Sequence, residues 1–357
     1  MINGISLYPG LDNSAEENLQ LLEKAAELGI KCVFTSLHIP ETDVAKLRRE
    51  FRRLINRARS YNMEVISDVS PDTLKLLELE KFSLLDFYNI GITTIRLDDG
   101  YSAQEIAELS KNPQQLKIQL NASTLTEDIL LTLKCAGVDF KKLDALHNFY
   151  PREGTGLGGK TLLRQNKLLH SYGIKVGAFV PSQNKKRGPL KAGLPTLESD
   201  RYLGVSLGAR KLIALGVDSV FIGDSFPSTE ELKELALLKA DQVTMRIQVL
   251  TKNHYVKELL QQTFTARADE ARDAIRAQER YGSFCGENIE PENTGERGLG
   301  SITLDNKAYG RYMGELQIIK RAQVADYRTN VIGQILPSEE FLLAFITPGR
   351  KYGFEIL

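Results

Sequence analysis

The stretch LDALHNFYPREGTGL, residues 143–157, joins a short apolar segment to a polar loop that ends in glycines. Its first part, Leu143–Leu146, has the length and character of a buried strand. A histidine, an asparagine, a tyrosine, an arginine and a glutamate follow directly, and polar groups next to a core cost free energy unless each finds a partner. The stretch therefore predicts a strand whose carboxyl end opens onto a binding site.

The same kind of apolar segment recurs through the first two thirds of the chain. The eight segments are Gly4–Leu7, Cys32–Thr35, Glu64–Ser67, Ile92–Leu97, Lys117–Leu120, Leu143–Leu146, Lys175–Val180 and Ser219–Ile222. Helical periodicity separates them. After the second segment, for example, Val44, Leu47 and Phe51 fall on one face of a helix.

Local signals mark where these helices begin and end. Ser/Thr-x-x-Glu capping boxes predict helix starts at Ser14–Glu17, Ser102–Glu105, Thr124–Glu127 and Ser228–Glu231. Residues that tolerate a left-handed backbone predict helix ends at Gly29, Asn62, Gly91, Gly137, Gly173 and Gly216. Eight strand and helix units predict an α/β fold, a (β/α)8 TIM barrel, over residues 1–240. An open doubly wound sheet is the alternative, but its Gly-x-Gly-x-x-Gly turn is missing after the first segment.

The rhythm changes after residue 240, which predicts a smaller β-rich domain over residues 241–357. The predicted strands are Val243–Leu250, Gly300–Leu304, Gly314–Lys320, Val331–Ile335 and Phe341–Ile346. Glycine, proline, asparagine and aspartate separate them, as is typical of turns. The one segment of this region with a helical pattern is Asp269–Arg280.

Basic and acidic residues number 46 each, so the 357-residue chain carries no net charge. Without a basic surface, we expect neither nucleic acid nor a membrane as partner. Cys32, Cys135 and Cys285 are too far apart in sequence to suggest a disulfide framework or a zinc site. No apolar run reaches the ~18 residues of a membrane span. We expect a cytoplasmic monomer or homodimer that binds a small ligand and needs neither metal nor cofactor.

In such a barrel the active site forms at the carboxyl ends of the strands, so the residues after each segment are the candidates. Carboxylates can supply acid and base or nucleophile for cleaving a glycosidic bond, while amides and aromatic rings hold the sugar. The predicted catalytic residues are Glu41, Asp68, Asp98 and Glu153. The predicted substrate-binding residues are Tyr8, His38, Asn121, His147, Asn148 and Tyr150. Asp99 and Asp224 we interpret as turn residues.

The loop after the seventh segment, SQNKKRGPLKAGLPTLE at residues 182–198, combines basic side chains with glycines. Loops after strands seven and eight are a frequent phosphate site in this fold, and glycine lets backbone amides approach an anion. We predict phosphate contacts from Arg187, Lys186 and Arg152. Arg187 is the strongest of these candidates because a guanidinium can bind phosphate through two donors.

Eight motifs in this order resemble the 6-phospho-N-acetylmuramidase family, whose members were long described as a domain of unknown function or mislabelled outer surface proteins. They are LYPG (7–10), TSLHIPE (35–41), SDVSP (67–71), IRLDDG (95–100), LNAS (120–123), HNFYPREGTGL (147–157), RGPLKAGLPTLE (187–198) and FIGD (221–224). The segment DNKAYGRYMGELQI (305–318) resembles the cyclophilin-like second domain of that family. The resemblance thus covers the whole chain.

This resemblance implies a cytoplasmic glycosidase of cell-wall recycling. Its substrate would be 6-phospho-N-acetylmuramyl-N-acetylglucosamine, cleaved to N-acetylmuramic acid 6-phosphate and N-acetylglucosamine, with the 2-acetamido group as an alternative internal nucleophile. Other readings stay open, namely another 6-phosphoglycosidase or a phosphosugar-binding protein without turnover. A pyridoxal-phosphate barrel enzyme is the least favoured, because it needs a lysine at a strand end and the first segment has none.

Overall fold

The computed structural model describes residues 3–36, 39, 42–69, 82–97, 100–280 and 288–357. The chain divides into two compact units, Met1–Ala240 and Asp241–Leu357. The predictions for His38, Glu41, Asp98, Asp99 and Cys285 lie outside the described residues.

The first unit is a closed barrel of eight parallel strands in sequence order, which confirms the predicted (β/α)8 fold. The strands are β1 Gly4–Ser6, β2 Cys32–Ser36, β3 Glu64–Val69, β4 Thr94–Leu97, β5 Lys117–Asn121, β6 Leu143–Leu146, β7 Lys175–Val180 and β8 Ser219–Ile222. The helices are α1 Ala15–Glu27, α2 Val44–Ser60, α3 Leu84–Ile90, α4 Ala103–Leu109, α5 Glu127–Cys135, α6 Gly159–Ser171, α7 Val205–Ala214 and α8 Thr229–Ala236. Within the described parts of the chain, every helix is too short or too polar to cross a membrane.

Most of the predicted helix boundaries are confirmed. Ser14, Ser102 and Ser228 each form a complete capping box. The predicted helix ends Gly29, Asn62, Gly91, Gly137, Gly173 and Gly216 all have positive φ angles, between 53° and 109°. The box at Thr124 is wrong. The helix begins at Glu127, so Thr126 is its cap and accepts a hydrogen bond from the Ile129 amide.

Aromatic rings fill the barrel interior. Phe179 of β7 lies 5.2 Å from Phe34 of β2 and 5.6 Å from Phe221 of β8, measured between ring centroids. Tyr8, Ile66 and Leu146 belong to the same buried cluster. Because side chains alternate between the two faces of a strand, Ser36, Asp68, Arg96 and Gln119 form a polar row on the interior face, through the pairs Ser36–Asp68, Asp68–Arg96 and Arg96–Gln119.

The second unit is a seven-stranded mixed sheet of order β10-β15-β9-β14-β12-β13-β11. Its strands are β9 Val243–Val249, β10 Thr263–Thr265, β11 Ala274–Arg280, β12 Ser301–Asp305, β13 Glu315–Ile319, β14 Thr329–Ile335 and β15 Lys351–Ile356. A short helix α9, His254–Leu259, and two 3₁₀ segments, Lys307–Tyr312 and Pro337–Phe345, connect them. The sequence prediction missed β10, β15 and α9.

Two predictions for this unit are wrong. Asp269–Arg280 was predicted to be helical, but residues 274–280 form β11, which pairs with β13. Pairing with that strand and burial of Ile275 and Ala277 outweigh the helical charge pattern. Phe341–Ile346 was predicted as a strand but largely falls in the 3₁₀ segment Pro337–Phe345, which has proline in its first turn.

Candidate active site at the barrel mouth

The described candidates lie where the strands of the barrel end. Tyr8 follows β1, Asp68 and Asn121 are the last or near-last residues of β3 and β5, and Asn148 follows β6. Arg187 lies in the loop after β7. The carboxyl ends of all eight strands meet at this side of the barrel, which is called the mouth below.

A buried arginine that the sequence analysis did not single out organises one side of the mouth. Arg96 of β4 donates from Nη1 to Asp68 Oδ1 at 2.9 Å, and both side chains are buried. Its Nη2 donates to Asn148 Oδ1 at 2.6 Å and to the Leu146 carbonyl at 3.3 Å. Asp68 and Asn148 are therefore held in fixed positions by one guanidinium. The signal was a charged residue on the interior face of a buried strand.

The His147 ring does not face the mouth, which corrects its prediction as a substrate-binding residue. It is fully buried toward α6, where Nε2 lies 2.9 Å from Asn166 Oδ1. Asn166 Nδ2 donates to the Leu215 carbonyl, so its oxygen faces the histidine and we assign the proton to Nε2. Nδ1 then accepts from the Ser123 hydroxyl at 3.1 Å, and Ser123 Oγ accepts from the Asn148 amide at 3.0 Å.

Burial lowers the pKa of His147 to about 4, so the ring is neutral at physiological pH. A neutral imidazole matches the network, since it donates through one nitrogen and accepts through the other. His147 thus positions Asn148 through Ser123 and does not transfer protons at the mouth.

The second buried arginine, Arg187, lies between two aromatic rings. Its guanidinium carbon is 4.8 Å from the ring centre of Tyr8 and 4.9 Å from that of Phe149. Only 7% of the residue is exposed. Nε donates to the Gly188 carbonyl at 3.3 Å, while the buried Nη1 has no acceptor among the described residues. Arg187 thus carries a buried positive charge with unused donors, which is what an anion site requires.

Tyr8 forms one wall of this site. Its hydroxyl donates to the Gly223 carbonyl at 2.7 Å. Burial is the main reason that the pKa of Tyr8 is raised to about 12, while the charge of Arg187 acts in the opposite direction. The phenol is therefore neutral, and its ring serves as a stacking surface for the guanidinium.

Asp224, which follows β8, shapes the loop that carries Arg187. Its carboxylate accepts from the backbone amides of Ser182 and Arg187, both at 2.9 Å, and from that of Leu194 at 3.2 Å. Asp224 is fully buried, and burial raises the pKa of its carboxyl group. This geometry matches the predicted turn role, because the carboxylate binds backbone amides of one loop.

The polar loop after β6 is anchored by two residues that sequence analysis did not find. Glu198 accepts from the amides of Gly154 and Gly156 at 2.9 and 2.8 Å. The buried Arg201 donates to Glu198 at 2.7 Å, to the Tyr150 carbonyl at 3.0 Å and to the Gly193 carbonyl at 3.0 Å. The hydrogen bond from Arg201 is the main reason that the pKa of Glu198 falls to about 2. The pair ties the loops after β6 and β7 together.

The remaining predicted residues lie nearer the surface of the unit. Arg152 and Glu153 are exposed, and Glu153 accepts a hydrogen bond from the Tyr202 hydroxyl. The Lys186 ammonium lies 5.1 Å from the centre of the Tyr202 ring. The structure does not link these residues to the Asp68 cluster by a hydrogen bond within the described chain. Asn121 is buried at the end of β5 and accepts from the Ser123 amide at 3.1 Å, and Tyr150 is partly exposed.

The two buried guanidinium groups differ in charge balance. Asp68 lies within ion-pair distance of Arg96. No described carboxylate lies within that distance of Arg187, whose neighbour Asp224 binds its amide and not its side chain. Among the described residues, no group of three or more histidine, cysteine or acidic side chains is arranged to hold a metal ion. The mouth therefore suits an anion next to a polar, hydrogen-bonding surface.

Comparison with known proteins agrees with this chemistry. A crystal structure of an uncharacterized B. cereus protein is 30% identical, with 99% of this chain and 98% of that chain covered and a TM-score of 0.83. A conserved Enterococcus faecalis protein of unknown function is 32% identical, with 100% and 96% covered and a TM-score of 0.66. No curated protein matches significantly. The models "6-phospho-N-acetylmuramidase, N-terminal" and "C-terminal" match residues 3–237 and 243–355, so the chain belongs to the 6-phospho-N-acetylmuramidase family and is a glycosidase.

Proposed function

We propose that this protein hydrolyses 6-phospho-N-acetylmuramyl-N-acetylglucosamine to N-acetylmuramic acid 6-phosphate and N-acetylglucosamine. The single observation that carries the proposal is the buried Arg187 guanidinium with its unpaired Nη1 at the barrel mouth. The family name implies a phosphorylated muramyl sugar, and such a sugar supplies the anion that this guanidinium lacks.

Recognition of the 6-phosphate begins with Arg187. A phosphate oxygen accepts from Nη1, and the rings of Tyr8 and Phe149 hold the guanidinium plane so that little rotamer entropy is lost on binding. Asp224 fixes the backbone of the same loop. Lys186 and Arg152, which lie nearer the surface of this unit, add long-range attraction for the anion.

The chemistry needs one protonated acid for the leaving oxygen and a second group that stabilises the oxocarbenium-like centre. We assign one of these roles to Asp68, which Arg96 holds at the mouth. Asp98 and Glu41 stay the predicted partners. If the 2-acetamido group is the nucleophile, Asp68 orients that group and a second acid protonates the leaving sugar. We assign no catalytic role to Glu153, because it is exposed and bonded to Tyr202.

Asn148 completes the substrate surface. Its Oδ1 accepts from Arg96, and its backbone amide donates to Ser123, so the side chain is locked in one orientation. The Nδ2 donors have no acceptor among the described residues and can bind a sugar hydroxyl or the acetamido carbonyl. Asn121 and Tyr150 serve as further substrate contacts in this proposal.

The wider role that we propose is peptidoglycan recycling in the cytoplasm, with a cyclophilin-like second domain. This part of the proposal is supported by family membership. It requires an imported disaccharide that already carries the 6-phosphate, because the Arg187 site calls for an anion.

The test is mass spectrometry of the products after the purified protein is incubated with the phosphorylated disaccharide and, in parallel, with the same disaccharide lacking phosphate. We expect release of N-acetylglucosamine from the phosphorylated compound only. Equal release from both would contradict the anion site. No release from either, with tight binding of the phosphorylated compound, would support a phosphosugar-binding protein without turnover.

A further inference from the structure

The second unit carries a polar cluster that the proposed reaction does not use. The cluster lies on one face of β11, β13 and β12, where the register pairs Arg276 with Gln317 and Gln317 with Thr303. By alternation along the same strands, Asp305 and Glu315 lie on this face next to each other, and the Gly314 amide donates to the Asp305 carbonyl at 2.8 Å.

Glu315 has an unused acceptor. The residue is only 3% exposed, and its Oε1 accepts from Arg276 Nε at 2.6 Å and from Gln317 Nε2 at 3.3 Å. Its Oε2 is buried and has no donor among the described residues. A buried carboxylate oxygen without a donor is costly, so the site is incomplete without a group that donates to it.

Asp305 adds a second carboxylate beside it. Its Oδ1 accepts from the Thr329 hydroxyl at 3.0 Å. Burial is the main reason that the pKa of Asp305 is raised to about 6, and the Glu315 charge raises it further. Two carboxylates thus share one close guanidinium, that of Arg276, which leaves the cluster with more acceptors than donors.

The open side of the cluster is formed by Arg276, with a side chain 25% exposed, and by the partly exposed Gln317. Tyr312 is near enough that its hydroxyl contributes to the raised pKa of Arg276, although the hydrogen bond to Glu315 is the main cause. The Tyr312 ring is exposed and packs edge-on against Tyr309, with 5.9 Å between ring centroids. An aromatic ring beside planar acceptors and donors is the usual composition of a sugar site.

We propose that this face of the second unit is a separate binding site for a neutral sugar ring, with Glu315 and Asp305 accepting from hydroxyl groups and Tyr312 packing against the ring. A hydroxyl both donates and accepts, so it can satisfy Glu315 while taking a hydrogen bond from Gln317 or Arg276. A metal ion or an amine fits less well, because the Arg276 guanidinium directly beside Glu315 repels a cation. The proposal does not depend on the reaction at the barrel mouth.

The test uses the full chain and N-acetylglucosamine as the probe. Calorimetry measures the dissociation constant, and hydrogen exchange locates the protected peptides. We expect protection over residues 301–319 and a loss of affinity of about tenfold or more in Glu315→Gln and Tyr312→Ala. Glu290→Gln, which changes an exposed glutamate of the same unit, is the matched control and leaves binding unchanged.

Three results would overturn the proposal. They are no measurable binding, protection confined to barrel peptides, and binding at residues 301–319 that Tyr312→Ala does not weaken. Tyr312→Ala keeps the test decisive if Glu315→Gln fails to fold, because Tyr312 is exposed. Binding of ammonium or calcium ions in place of the sugar, lost in Glu315→Gln, would also contradict it. None of these results bears on hydrolysis at the mouth, so the two proposals fail separately.

Discussion

Two buried arginines stand at the mouth of the same barrel, and their surroundings differ. Arg96 donates to Asp68, Asn148 and a backbone carbonyl, so its charge and its donors are used inside the protein. Arg187 stacks between Tyr8 and Phe149 and leaves Nη1 unpaired. The difference indicates different roles, because a satisfied charge positions its neighbours while an unsatisfied one is completed by a ligand.

The sharpest test of this contrast is the stability of Arg96→Gln against Arg187→Gln without ligand. We expect Arg96→Gln to lose about 3 to 5 kcal/mol in the free energy of unfolding, since it leaves Asp68 buried without its partner. Arg187→Gln removes a buried charge that has no anionic partner, so we expect no loss. Urea unfolding measures both. Equal losses in the two variants would remove the distinction.

Asp68→Asn tests the catalytic side of the contrast. We expect kcat for the phosphorylated disaccharide to fall by about 10²- to 10⁴-fold, the range for loss of a positioned acid or base. Asp128→Asn, at an exposed position on α5, is the matched control and keeps full activity. If Asp68→Asn keeps wild-type kcat, the catalytic acids must be sought among the other strand ends.

The buried His147 makes a prediction for the pH dependence of stability. Its pKa is about 4 in the folded chain against a usual value of 6.5, so the unfolded chain binds the proton first as pH falls. Its contribution is fully present above pH 6.5 and is lost as pH falls toward 4, by about 3 kcal/mol at most. Comparing wild type with His147→Gln isolates this slope. Identical slopes would show that the ring is not held neutral.

Ser123→Ala should give the smallest effect. It removes the hydroxyl between His147 and the Asn148 amide, while the bond from Arg96 to Asn148 stays. We expect kcat to fall by about five- to tenfold with little change in KM, the cost of one neutral hydrogen bond. Thr124→Ala, one residue on and exposed, serves as the control. A large rise in KM with kcat unchanged would mean that Ser123 contributes to binding instead.

Much of the barrel was predictable because its signals are local. Apolar segments, serine caps and left-handed glycines each depend on a few neighbouring residues, and the closed barrel follows from their repetition. The orientation of His147 was also within reach. Leu146 faces the interior cluster, so strand alternation directs His147 outward and Asn148 inward.

Other features could not be predicted because they join distant parts of the chain. Arg201 and Glu198 hold a loop about fifty residues earlier, and no local pattern marks that pairing. In the second unit, β11 has a helical charge pattern and becomes a strand only through pairing with β13. The unpaired state of Arg187 also depends on which side chains surround it in three dimensions, although its position in a basic, glycine-containing loop marked it as a candidate.

The most direct test of the central claim is the ratio of kcat/KM for the phosphorylated disaccharide to that for the unphosphorylated one, in wild type and in Arg187→Gln. Losing a buried charged partner typically costs 2 to 5 kcal/mol, so we expect the ratio to fall by about 10²- to 10³-fold. Lys191→Gln, at an exposed position of the same loop, is the control and keeps the ratio. A ratio that Arg187→Gln leaves unchanged would contradict the assignment of Arg187 as the phosphate-binding residue.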